Sequence, residues 1–311
     1  MAKVMANMLA GAVNPGLTAE LAEFAAARAG FAATRPVART VAVLGLTPGE
    51  GRSSVAALLA LSVAGWSDRR VAVLDTVAVP TGPHPAVAGM PGVRDVAGRT
   101  VTALLGGDVG QGRLQGLVDP SAGSTVVARN RLRAALTPGA AVPVLSLPPG
   151  GPGFPPQFVE QALARLRQRA DLVVIDTPVG PSAPVLHGVL QHADHFLLVV
   201  RGDGDTDRRL QAVAHWLGNA PGRARTRPAT AVIVSRGLTK PSWTFPSLPV
   251  VVIPRDEGLR RRRPERLGRP AAVAGLRLAT EIAARGSTGD APADPPTGSA
   301  SAVDPSIFGP R

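Results

Sequence analysis

Seven short apolar runs punctuate the chain: "TVAVLGL" (40–46), "RVAVLD" (70–75), "VPVLSL" (142–147), "DLVVID" (171–176), "HFLLVV" (195–200), "TAVIVS" (230–235) and "PVVVI" (249–253). They are rich in valine and continuously apolar rather than alternating, the pattern of strands buried on both faces. Between many of them the apolar residues fall at helical spacing. The spacing predicts helices over 53–64, over 156–170 with Phe158, Val159, Ala162, Leu163 and Leu166 inward, over 207–217 and over 271–284. Strands alternating with helices predict an α/β fold. Its sheet is mainly parallel and doubly wound, with seven or eight strands and helices on both faces. Right-handed crossovers restrict the topology further.

The pattern also divides the chain. Residues 1–36 read as an N-terminal helical extension, with Leu17, Leu21, Phe24, Ala27 and Phe31 on one face. That face either packs on the edge of the domain or docks a partner, and packing is the simpler reading. The repeating unit covers 37–285. Within it, 76–141 is rich in glycine and proline and reads as irregular loops with one or two short helices. The tail, 286–311, is rich in Gly, Ala, Ser, Pro and Asp and is expected to be disordered.

Composition narrows the function. The 311 residues contain no cysteine, which excludes disulfides and thiolate metal sites. There is no charged-then-apolar leader and no run of about 18 apolar residues, so a cytoplasmic chain with no membrane span is expected. The formal charge is +12, and Lys3 and Lys240 are the only lysines, so arginine carries nearly all of it. Arg260–Arg263 and Arg266 cluster in "LRRRRPERLGR". Such a run either grips the phosphates of DNA or acidic lipid or lies solvated at the surface. His84, His187, His192, His195 and His215 are scattered without the spacing of a metal site.

The richest chemistry lies in "VLGLTPGEGRSSVAALLALSVAG" (43–65), a strand, a glycine-rich turn and a helix. Such a turn binds phosphate because backbone N–H groups converge at a helix N-terminus. The loop spans Thr47, Pro48, Gly49, Glu50, Gly51, Arg52, Ser53 and Ser54. Against the pattern G-x-x-x-x-G-K-[ST], Gly51 and Ser53 fit. Leu46 replaces the first glycine, with Gly45 one residue early, and Arg52 replaces the lysine. Asp176 ends a later strand, followed by Thr177 and Pro178, and Asp75 ends the strand after the loop's helix. Carboxylates at the C-terminal ends of parallel strands lie beside such a loop. Ser53, Asp75 and Asp176 therefore form a candidate Mg²⁺–nucleotide site, with both aspartates as the catalytic candidates.

On these motifs the chain resembles the ParA/MinD-type (SIMIBI) P-loop ATPases. Within them it is nearest to the ATPase domains of bacterial tyrosine kinases and polysaccharide co-polymerase partners. "TPGEGRSSVAALLALSVA" is similar to that group's P-G-E-G-K-S-T loop and helix, and "GVRDVAG" (92–98) to its G-L-x-D-x-L-x-G element. "RADLVVIDTP" and "HADHFLLVVRGDGDTDRRL" are similar to its later motifs, and "VVVIPRDEG" onward to the ParA/MinD ending. The resemblance covers about 37–285. It implies ATP and Mg²⁺ as ligands, a homodimer, and a protein partner in a membrane-associated secretion, polysaccharide or division machine.

The departures point elsewhere. Thr47 stands where ParA/MinD members carry a signature lysine, and Val77 and Val79 replace the acidic and basic residues of the kinase group's second motif. The chain has no tyrosine, so self-phosphorylation of a tyrosine tail is impossible. Where the family reads adenine, the chain offers Ser235 and Arg236. Guanidinium at position 52 is planar and bulkier than ammonium, and it need not follow charge into a transition state. The sequence thus predicts a degenerate loop that binds ATP weakly or without efficient hydrolysis and serves as a switch or scaffold, a pseudo-ATPase. An active ATPase that dimerises around ATP, or a basic ParA-like DNA binder without base specificity, are the alternatives.

Overall fold

The computed structural model describes residues 15–34, 40–77, 126–129, 141–146, 156–180, 184–235, 237, 244, 248–260 and 267–286. All seven predicted strands are present: β1 Thr40–Leu44, β2 Val71–Asp75, β4 Ala141–Ser146, β5 Leu172–Asp176, β6 His195–Gly202, β7 Ala229–Ser235 and β8 Val250–Ile253. An eighth, β3 Val126–Arg129, pairs antiparallel with β4 at one edge of the sheet. This corrects the expectation that 76–141 holds only loops and short helices; the rest of 78–140, including the "GVRDVAG" element, lies outside the described residues. The spatial order is β3-β4-β2-β5-β1-β6-β7-β8, and every neighbouring pair except β3–β4 is parallel. The sheet is α/β, mainly parallel and doubly wound, as the apolar runs predict.

Continuous apolar strands have a direct structural cause here. Along β1, Val41 and Val43 face one core while Ala42 and Leu44 face the other. β2 repeats this with Val71 and Val73 against Ala72 and Leu74, and β6 with Leu197 and Val199 against Phe196, Leu198 and Val200. Successive strand side chains point to opposite faces, and both faces are covered, so the middles of the strands are apolar and the buried polar residues Thr40, Asp75, Asp176 and His195 stand at strand ends.

The first core is closed by α1 Pro15–Ala32, α2 Arg52–Trp66, the short α6 Glu257–Arg260 and α7 Arg269–Gly286. α2 lies between the sheet and the other helices and buries ten consecutive-turn residues, Arg52 among them. Its contact with α7 is close: a Cβ at Gly275 would stand 2.1 Å from the Ser62 hydroxyl. Phe31 of α1 is buried in this core, with Phe24 and Ala27 packed against it. Phe24 meets Trp66 edge to face at 4.9 Å, and Arg28 lies over the same ring. Of the predicted apolar face of α1, Phe24, Ala27 and Phe31 thus pack in this core, and the side chain of Leu17 lies outside the described residues.

The second core is closed by α3 Pro156–Arg167, α4 Pro184–His192 and α5 Thr206–Gly218. Val159, Ala162, Leu163 and Leu166 point inward as their spacing predicts. α4 escaped the periodicity reading because it has only nine residues, "PVLHGVLQH", with a glycine at its centre. Among the described residues no helix is long and apolar enough to cross a membrane.

Candidate functional site at the ends of β1, β2 and β5

Three adjacent parallel strands end together. In the register, Asp75 of β2 lies beside Asp176 of β5, and Asp176 beside Val43 of β1. The topology therefore sets both strand-ending aspartates against the turn that leaves β1. That turn reaches α2 through Gly49 at φ 75° and Gly51 at φ 96°. Both are left-handed conformations that a side chain resists, and a Cβ at Gly51 would also stand 3.2 Å from Val234. Gly51 is the N-cap of α2, and no side chain caps the helix there.

Ser53, in the first turn of α2, donates its hydroxyl to Asp176 Oδ2 at 2.6 Å. Asp176 is fully buried and Asp75 nearly so. Asp75 Oδ1 accepts the Val77 amide at 3.1 Å. Two threonines hold the strand ends in place. Thr76 donates through its hydroxyl, 2.6 Å, and its amide, 3.0 Å, to the Asp176 carbonyl. Thr177 donates its hydroxyl to the Val43 carbonyl at 2.7 Å. These threonines carry a sequence signal, since β2 and β5 both end in Asp-Thr. A buried hydroxyl so paired adds about 1 kcal/mol of stability.

Arg52 turns back beneath the loop. It is 8 % exposed, and its Nη1 donates to the Thr177 carbonyl at 2.5 Å. Burial lowers the guanidinium's pKa, opposed by the charges of Asp176 and Glu50. Glu50 also points inward, 3 % exposed, and its Oε2 accepts the Thr47 amide at 3.1 Å. Burial pushes the Glu50 carboxyl above its ordinary range, against the bond from Thr47 and the charges of Arg52 and Arg209. Both side chains crowd Gly45, where a Cβ would stand 2.7 Å from Arg52 Cδ and 2.7 Å from Glu50 Oε2. Gly45 is thus needed for close approach, although the loop pattern places its glycine at 46. The remaining loop residues, Thr47, Pro48, Gly49 and Ser54, form the rim, with Pro48 and Gly49 exposed.

The chain has the fold of the MinD and ParA ATPases. It is similar to MinD complexed with Mg-ADP from Pyrococcus horikoshii OT3, at 17 % identity and a TM-score of 0.53, covering 78 % of this chain and 95 % of that one. A ParA family ATPase from Chlorobium tepidum TLS matches at 14 % identity and a TM-score of 0.54, over 79 % of this chain and 97 % of that one. The MinC:MinD cell division complex from Aquifex aeolicus matches at 12 % identity and 0.53, over 77 % and 94 %. No family model and no curated protein sequence matches the chain.

Other candidates fall outside this cluster. Ser235, at the end of β7, donates its hydroxyl to the Gly237 carbonyl at 3.1 Å, and Arg236 lies outside the described residues. His195 is buried, with Nε2 2.9 Å from the Thr230 hydroxyl, and burial with a smaller push from Arg285 holds its pKa at about 4. Among the described residues no three His, Asp or Glu side chains are grouped to hold a metal by themselves. The arginines at 261–263 and 266 also lie outside the described residues.

Proposed function

We propose that the protein is a MinD/ParA-like nucleotide-binding switch or scaffold that takes ATP or ADP with Mg²⁺ at the 47–54 loop and hydrolyses it poorly. The observation that carries this is the 2.6 Å bond from Ser53 to Asp176, made at the N-terminus of α2 with Asp75 in the adjacent register position. A hydroxyl and two carboxylates are hard oxygen donors of the kind Mg²⁺ accepts alongside waters and phosphates. When bound, Mg²⁺ would neutralise phosphate charge and orient the nucleotide. Ser53 would bind it directly, Asp176 and Asp75 would hold its water shell, and the loop amides at the head of α2 would bind phosphate.

Poor hydrolysis follows from Arg52. Its guanidinium is buried and bonded to the Thr177 carbonyl, so redirecting it to a phosphate must break that bond. In this reading the departure at Arg52 lies in its side chain, and the loop backbone keeps positive-φ glycines at Gly49 and Gly51. A protein partner and a homodimer belong to this reading, in which 37–285 is the unit that carries the site; the Aquifex aeolicus MinD is found in a complex with MinC. Steady-state turnover tests the reading: wild type is expected near background with Mg-ATP, and Arg52→Lys is expected to raise turnover at least about tenfold. Wild-type hydrolysis well above background, abolished by Asp176→Ala, would sink the hydrolysis-poor account.

A further inference from the structure

The side chain of Glu50 has no place in the nucleotide reading, which uses only its backbone. Its position is nevertheless specific. The carboxylate does not extend to solvent from an exposed turn, as an acidic side chain beside Pro48 and Gly49 would by default. It folds inward, accepts the Thr47 amide at 3.1 Å, and lies with the Arg52 stem against the backbone of Gly45. Arg52, the first residue of α2, and Arg209 of α5, which pairs with Asp203 and Asp205, add positive charge in its neighbourhood. An amide donor, a guanidinium and a positive field from a neighbouring helix are what a bound phosphate oxygen would also use.

We propose that Glu50 is a resident anion of the loop: its carboxylate closes the loop on Thr47 and beside Arg52, and a polyphosphate binds by displacing it. The proposal rests on the nucleotide reading above. Its energetic logic is an exchange of one anion for another. A carboxylate left in place beside three or four phosphate charges repels them, in a setting where the effective dielectric is low. Burial already works against the Glu50 charge, so the closed arrangement is held without a deep energy well. Apparent affinity then equals intrinsic affinity reduced by the fraction of chains whose loop is open. The carboxylate therefore weakens binding, the opposite of what a ligand-contacting residue would do.

The test is calorimetric titration of the full chain with Mg-ATP and, separately, with inorganic tripolyphosphate. Wild type, Glu50→Gln and Glu50→Ala are compared, with ligand-free Tm recorded for each. Both variants are expected to bind both ligands at least about tenfold more tightly than wild type, and Glu50→Ala to melt lower than wild type without ligand. Glu50→Gln is nearly isosteric and keeps an oxygen for Thr47, so it carries the test if Glu50→Ala does not fold. Measurable wild-type binding with equal or weaker binding in Glu50→Gln overturns the resident-anion role and leaves the nucleotide reading standing. Absence of binding in all three chains overturns the nucleotide reading, and this inference with it.

Discussion

Two strand-to-helix turns lie side by side at the same edge of the sheet, and they are chemically opposite. The turn from β1 to α2 contains Gly49 and Gly51 at positive φ, ends on a helix with no acidic residue in its first turn, and has buried charges beneath it. The turn from β6 to α5 contains Asp203 and Asp205, and Asp207 follows in the first turn of the helix. There, Asp203 accepts the Asp205 amide at 3.0 Å and pairs with Arg201 and Arg209, while Asp207 holds the Thr244 amide and hydroxyl. Both helix ends carry the same partial positive charge. In the second turn the chain itself supplies carboxylates beside it. In the first, the backbone geometry is kept and the Glu50 carboxylate bonds a loop amide, that of Thr47. The same topology thus yields one turn with two left-handed glycines and no acidic residue at the head of its helix, and one turn lined with carboxylates.

Backbone strain separates the two turns most strongly. Gly51→Ala forces a side chain into φ 96° with its Cβ 3.2 Å from Val234, and is expected to cost about 1–2 kcal/mol in urea denaturation. Gly204→Ala in the second turn has nothing within 4 Å of the added methyl, and is expected to change stability by less than about 0.5 kcal/mol. Equal costs would show that the first turn holds no special conformation.

Titration separates them more gently. Burial raises the Glu50 pKa, so its contribution to stability is fully present below the ordinary value of 4.5 and is lost as pH rises through the raised value. Asp203 is partly buried, which opposes ionisation, but the bonds from Arg201 and Arg209 and from the Asp205 amide prevail and lower its pKa. Its contribution is present above 3.8 and is lost as pH falls through the lowered value. Carboxyl carbon NMR titration is expected to place Glu50 above and Asp203 below their ordinary ranges. Reversed order would mean that Glu50 does not turn inward.

The contrast also shows what the sequence made legible. The seven parallel strands were readable because burial on both faces leaves a continuous apolar run, as in "LVVID". β3 was not, since "VVAR" is four residues inside a long stretch rich in glycine and proline. Asp75 and Asp176 were readable because each closes such a run, and parallel register then brings them together. The inward turns of Arg52 and Glu50 were hidden, because side-chain direction in a turn is fixed by φ and ψ at Gly49 and Gly51 rather than by residue type. The role of Gly45 was hidden for the same reason: it depends on where two later side chains fold back.

The central claim is that the ends of β1, β2 and β5 form a Mg²⁺-dependent nucleotide site. Equilibrium binding of ATP with and without Mg²⁺, for wild type, Asp176→Ala and Asp203→Ala, tests it most directly. The account predicts saturable binding that strengthens with Mg²⁺. Affinity should fall about 10- to 100-fold in Asp176→Ala, the range for losing a charge-assisted bond, and should change less than about threefold in Asp203→Ala. Binding that ignores Mg²⁺ and survives Asp176→Ala, or no saturable binding by wild type at millimolar ATP, would contradict it.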